Sequence, residues 1–280
     1  RVVEETPLGA EEIMEWRLSN GARVVFKSTD FRSDQVVFSA FSPGGSSVVP
    51  NDAYRSAQYA TVFIEQMGYG DFSPPDLERT LAGKAVSVTP YIGGVDEGLS
   101  GAASAEDLEL LFQLIHLKMT APRRDEDAFA ALKRQFDAVI ANQSAQPQYQ
   151  FSRRIAERFN LGHPRAMPID AQGIASISLD QVLQIYSDRF DNASDFTFVF
   201  VGNLEPMRFR SLVEQYLATL PGSGRTEEAR DVGIERPSGV VADVVNSGID
   251  PVSQVAVLLH DTYAFSQAHN LDIRTVERAR

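Results

Sequence analysis

The chain contains no cysteine, which excludes disulfide staples, thiol nucleophiles and cysteine-ligated zinc together. No apolar run approaches the roughly 20 residues that a membrane-spanning helix needs. No signal-peptide series of basic, apolar and small residues opens it either. Positive charge is scarce: 26 Lys and Arg face 38 Asp and Glu, a formal net charge of −12. That balance argues against a nucleic-acid backbone or an anionic bilayer as partner. Gly44-Gly45 and Gly93-Gly94 lack the strand, spaced glycines and helix of a dinucleotide fingerprint, and no P-loop lysine follows either pair. No G-x-S-x-G elbow surrounds any serine. The first methionine is Met14, so Arg1 is expected to be a cut inside a longer protein.

What is present is a core-forming composition, 43% hydrophobic over 280 residues, enough for one large domain or one domain and part of another. "MEWRLSNGARVVFKS" reads as a hairpin, because Asn20-Gly21 takes positive φ readily between two alternating runs. "DQVVFSAFSPGG" predicts a further strand. The pattern then turns helical from Asp52 to Met67, with Gly68 as its stop. A short helix follows in "PPDLERTLAG", and "KAVSVTPYIGGVDEGLSGAAS" predicts a second hairpin. Ser104 and Asp107 form a capping-box-like pair ahead of a helix whose apolar residues Leu108, Leu111, Phe112, Ile115 and Met119 share a face. Helices are expected over 125–143, 148–159 and 179–190. "DFTFVFVGNL" predicts a central strand, and Phe209, Leu212, Val213, Tyr216, Leu217 and Leu220 predict a last helix. Residues 222–237, charged and poor in large apolar side chains, are expected to be a linker. Beyond it, residues 238–280 read as strand, turn, strand. "SDQVVFSAF" and "VSQVAVLLH" suggest the start of an internal repeat.

Several of these pieces, taken in order, carry a family resemblance. "LSNGARVVFK", "FIEQMGYG", "LAGKAVSVTPYIGGVDEGLSG", "DLELLFQLIHLKMTAPRRDEDAF", "GHP" and "FVFVGNLEP" together resemble a repeat of the pitrilysin/insulinase-type zinc metallopeptidases. The likeness is greatest to the third of four repeats in the large bacterial members. It covers roughly residues 14 to 221, one whole repeat. The fold implied is α+β, a mostly antiparallel sheet with helices packed on one side, of the pitrilysin/mitochondrial-processing-peptidase type. The implied organisation is a peptidase-like domain over 1–221, a linker over 222–237, and the truncated start of a following repeat over 238–280.

Active domains of that family carry H-x-x-E-H on the first long helix, two histidines on one face for zinc and a glutamate as general base. The positions that match here are Val62, Glu65 and Gln66. Val62 has no donor atom, and the Gln66 amide suits zinc poorly. The third ligand of the family, a glutamate further down the chain, aligns near Asp137 to Val139, and no glutamate lies between Glu126 and Glu157. The resemblance therefore implies no catalytic residue, no metal and no cofactor in this chain, with Glu65 a hydrogen-bonding carboxylate. Zinc is expected in the catalytic half of the parent protein. The expected partners are that catalytic domain and a peptide or unfolded protein, with no nucleic acid and no membrane span. The expected location is periplasmic or secreted. Two other readings stand beside this one: a metallopeptidase with rearranged ligands, and a protein-docking module unrelated to proteolysis. Of the histidines, His116 is expected as a hydrogen-bonded core residue and His163 as a loop or helix-cap residue. His260 and His269 are expected at the surface.

Overall fold

Of the Asn20-Gly21 pair only Gly21 takes positive φ, at 92°, and β2 (Ile13–Leu18) and β3 (Arg23–Ser28) pair antiparallel across the turn that the two residues occupy. The computed structural model describes residues 1–9, 12–30, 34–248 and 253–261. They fall into two units, Arg1–Ala145 with Ile169–Gly233, and Gln146–Pro168 with Ile234–Arg280.

The first unit holds a seven-stranded sheet in the order β1-β2-β3-β7-β4-β6-β5. Its further strands are β1 (Val2–Leu8), β4 (Val36–Pro43), β5 (Val86–Ile92), β6 (Asp96–Ala103) and β7 (Thr197–Gly202). All neighbours are antiparallel except β3 and β7, which run parallel. β4 alternates strictly between buried and exposed residues, the signature of a sheet with one covered face. On the covered face the cross-strand pair Phe38 and Phe200 brings its rings to 5.0 Å. Phe112 of α3 (Leu108–Thr120) stacks on Phe200 at 5.1 Å, and Phe209 meets Trp16 at 5.6 Å. Each such ring contributes roughly 2 to 3 kcal/mol of burial. The opposite face is open, with Val37, Phe41 and Val201 exposed.

The covering helices are amphipathic. α1 (Tyr54–Met67) buries Ala57, Ala60, Phe63, Ile64 and Met67, spaced at three and four residues as one helical face demands. Gly68 ends it at φ 94°, and a Cβ there would lie 2.2 Å from the Phe72 carbonyl oxygen, so only glycine fits. α4 (Glu126–Ser144) runs beside α1, with Phe63 meeting Phe129 at 4.7 Å and Phe136 at 5.7 Å. α7 (Leu179–Phe190) buries Val182, Ile185, Tyr186, Arg189 and Phe190. The short α2 (Pro74–Leu81) and α6 (Ala171–Ser176) complete the layer with α8 (Pro206–Leu212).

The structure departs from expectation in several elements. β1 and α6 escape sequence reading, since an edge strand containing Pro7 and a six-residue helix carry little periodicity. The helix expected over the last apolar series changes pitch, α8 giving way to a π turn over Val213–Leu217. Carbonyls at the end of this segment are taken up by side chains: Asn20 Nδ2 donates to Leu217 O at 2.8 Å and Leu220 O at 2.9 Å. The strands expected beyond residue 237 do not form among the described residues. Val240, Val255 and Val257 are exposed there, and a β-branched run becomes a strand only by pairing. The suggested repeat partner "VSQVAVLLH" begins at Val252, outside the described residues, and its remainder carries no ladder.

The second unit is built on α5 (Pro147–Phe159), which aligns Phe151, Ile155 and Phe159 on one side. Arg154 and Arg158 both pair with Asp243, at 3.1 and 2.6 Å. His163 accepts from Arg165 N at 3.3 Å and caps the 3-10 turn Pro164–Ala166, the cap role its sequence suggested.

Candidate functional site

Helical spacing puts Val62, Glu65 and Gln66 on one side of α1, away from the buried Phe63, Ile64 and Met67. Val62 is 46% exposed and Gln66 is exposed. Glu65 is different. Its side chain is 41% exposed, and its Oε1 lies 2.5 Å from Nζ of Lys118, a residue of α3 only 4% exposed. The Tyr69 hydroxyl donates to the same oxygen at 2.7 Å. Tyr69 and Tyr186 hydroxyls are 3.3 Å apart, and Tyr186 donates to the Lys118 carbonyl at 2.9 Å. The Lys118 ammonium also sits 4.7 Å from the centre of the Tyr69 ring, a cation–π contact.

The network has a definite electrostatic character. Burial pushes the Tyr69 phenol far above its ordinary range, and the neighbouring Tyr186 and Glu65 add to the rise. Burial raises Tyr186 too. Both rings therefore stay neutral donors, and the one ammonium is matched by the one carboxylate. That arrangement holds α1, α3 and α7 together through polar bonds.

It does not suit zinc. A zinc site draws on about three nitrogen, sulfur or carboxylate ligands. Val62 offers none, Gln66 a neutral amide, and the Glu65 oxygen already receives an ammonium and a phenol. Asp137, Ala138 and Val139 lie on the exposed side of α4. Among the described residues no three His, Cys, Asp or Glu side chains converge. His116 is half-buried rather than fully in the core; its Nδ1 stands 3.0 Å from the Tyr216 carbonyl oxygen of the π turn, so that nitrogen carries the proton. His260 is exposed, with Nε2 2.9 Å from the Pro237 carbonyl oxygen. His269 lies outside the described residues.

Lys118 is the residue that sequence reasoning missed. It follows Leu111 by seven residues and Ile115 by three, squarely on the apolar face of α3. A lysine on such a face needs a carboxylate partner, and that is the signal that could have directed attention from Glu65 to it.

No protein-family model matches the chain. It is 28% identical over 211 residues to a zinc protease PQQL-like protein of Arabidopsis thaliana, across 75% of this chain and 20% of that protein. The periplasmic protease PqqL of Escherichia coli superposes with a TM-score of 0.73 at 23% identity, over 85% of this chain and 26% of that one. The peptidase M16 inactive domain of Pseudomonas fluorescens superposes at 0.61 with 19% identity, over 78% of this chain and 54% of that domain. The chain spans only 20% to 26% of the length of the curated relatives it matches. In sequence the chain resembles part of the PqqL-type zinc proteases, and its fold resembles that of pitrilysin-type (M16) peptidase domains, an inactive one among them.

Proposed function

We propose that this chain is a non-catalytic domain of a longer zinc protease, forming part of the wall of a peptide chamber and contacting the catalytic half. The observation that carries this reading is the state of the motif face: Val62 and Gln66 offer no strong zinc donor, and Glu65 is committed to Lys118 and Tyr69. A general base needs a metal-bound water to act on, and this carboxylate has an ammonium in that place instead. The open face of the sheet, with Val37, Phe41 and Val201 exposed, supports the role of a wall. Its free edges can accept an extended peptide or unfolded segment through backbone bonds. On this reading Val62, Glu65 and Gln66 mark a former active site, zinc belongs to the catalytic half, and residues 238–280 begin a following repeat. A periplasmic location accords with the relative in Escherichia coli, which is a periplasmic protease. No helix among the described residues is long and apolar enough to cross a membrane.

Elemental analysis of the purified 280-residue chain tests the reading. The expected result is no stoichiometric zinc after dialysis, and stoichiometric zinc that survives dialysis overturns it. The double variant Val62→His with Gln66→His is expected to gain neither tight zinc nor proteolysis. The third ligand is still missing and Lys118 still holds Glu65.

A further inference from the structure

Residues 221–230 include no large side chain beyond charged ones, and none of the ten is buried. They are nevertheless fixed to the rest of the first unit by polar bonds. Asn192 donates to the Arg225 carbonyl at 2.7 Å and accepts from Ser223 N at 2.9 Å. Ser194 Oγ accepts from Gly224 N at 3.0 Å, Asp195 from Glu227 N at 2.8 Å, and Ser47 Oγ from Arg230 N at 2.9 Å. The stretch is a strap with no apolar anchor, so its attachment depends on charge and hydrogen bonding.

The strongest of these attachments is shared. Arg189 of α7 is 7% exposed and grips Glu227 with both terminal nitrogens, Nη2 to Oε1 at 3.1 Å and Nη1 to Oε2. On its other side Glu97 of β6, 1% exposed, places Oε1 3.9 Å from the same Nη1. Glu97 Oε2 accepts from Gly45 N at 2.6 Å. The three side chains enclose Gly44, where a Cβ would lie 2.9 Å from Arg189 Nη1, 3.2 Å from Glu227 and 3.5 Å from Glu97. One buried guanidinium thus stands between two carboxylates, one on the sheet and one on the strap.

We propose that residues 222–230 are a pH-released clasp: ionisation of Glu97 draws Arg189 away from Glu227 and repels the Glu227 carboxylate, freeing the strap. With Glu97 protonated, the cluster holds one cation and one anion, and the Arg189–Glu227 bond is undivided. With Glu97 ionised, two anions compete for one cation in a buried place, where Coulomb forces are least screened. Burial pushes the Glu97 carboxyl up to about 7, opposed by Arg189 and the Gly45 N–H and assisted by Glu227 and Asp195. The groups facing it are Arg189 from α7, Glu227 from the strap, Asp195 from the turn after α7, and Tyr91 from β5, itself raised to about 12 by burial and by Asp96 and Glu97. Arg225 stands 3.6 Å from Glu227 but is 44% exposed, so water and salt screen it. The clasp is closed below neutral pH and opens above it. Release of residues 222–230 lengthens the tether to whatever follows by up to about 30 Å.

Amide hydrogen exchange of the full chain at pH 6 and pH 8.5, corrected for intrinsic rates, is the test. Protection at Gly224, Glu227 and Arg230 is expected to fall about tenfold between the two, the factor that corresponds to one unit of coupling. In Glu97→Gln protection is expected to be equal at both values. Unchanged protection in the native chain, or a fall that persists in Glu97→Gln, overturns the proposal. If Glu97→Gln does not fold, Glu227→Gln on the strap replaces it: the clasp is weaker at both values and the pH dependence disappears, whereas a surviving dependence sinks the idea.

Discussion

Two buried cations lie in the same unit and face opposite demands. Lys118 has one carboxylate, Glu65, which reaches water on its far side. Arg189 has two, Glu97 and Glu227, and one of these is almost wholly out of water. The first pair is balanced and needs no proton. In the second, burial favours a proton on Glu97, which then leaves Arg189 to Glu227. Charge count around a buried cation, more than distance, decides whether a cluster is a fixed tie or a titrating one.

Removing the shared cation is expected to have the largest effect. Arg189→Met leaves Glu97 buried with no counter-charge and cuts the strap from α7. The expected loss is about 3 to 5 kcal/mol, as for a buried pair deprived of one partner, read from denaturant midpoints at constant slope. Next comes Glu65→Ala, which leaves the Lys118 ammonium unpaired. The expected loss is about 2 kcal/mol, below the buried-pair range because the vacated space admits water to the ammonium.

The two clusters also differ in the pH dependence of stability. Glu97 is raised in the folded chain from an ordinary 4.5 to about 7, so the folded state binds the extra proton between those values. Its contribution is fully present below 4.5 and is lost as pH rises through about 7. Glu97→Gln is expected to remove that downward slope, measured as unfolding free energy at several pH values. Glu65→Gln is expected to leave the slope in place.

Much of this architecture was legible in the sequence, and the gaps have physical reasons. Asn20-Gly21, Gly68 and the apolar series of α1, α3 and α7 each carry a local signal, and each forms where that signal puts it. The placement of Val62, Glu65 and Gln66 on one side of a helix was legible too, because they sit at spacings that a helix turns to one side. What was not legible is pairing across distance. Lys118 and Glu65 are 53 residues apart, and Glu227 reaches Arg189 from 38 residues away. A sequence shows a charge on an apolar face but not its partner. The same limit explains residues 222–230: their composition is that of a tether, and distant partners, Arg189, Asn192, Ser194 and Asp195 around the end of α7 together with Ser47, make it a strap.

The smallest expected effect falls on the other half of the Lys118 pair. Lys118→Met removes the buried ammonium and keeps its aliphatic volume against the Tyr69 ring, 4.7 Å from the present nitrogen. Glu65 then loses an ion pair but retains the Tyr69 hydroxyl at 2.7 Å and its own access to water. A half-exposed carboxylate is easily hydrated, whereas a buried ammonium is not. The change is therefore expected to cost less than about 1 kcal/mol, well below Glu65→Ala. Equal losses from the two substitutions, measured by chemical unfolding under one condition, would mean that the pair itself, rather than the stranding of Lys118, stabilises this corner of the fold.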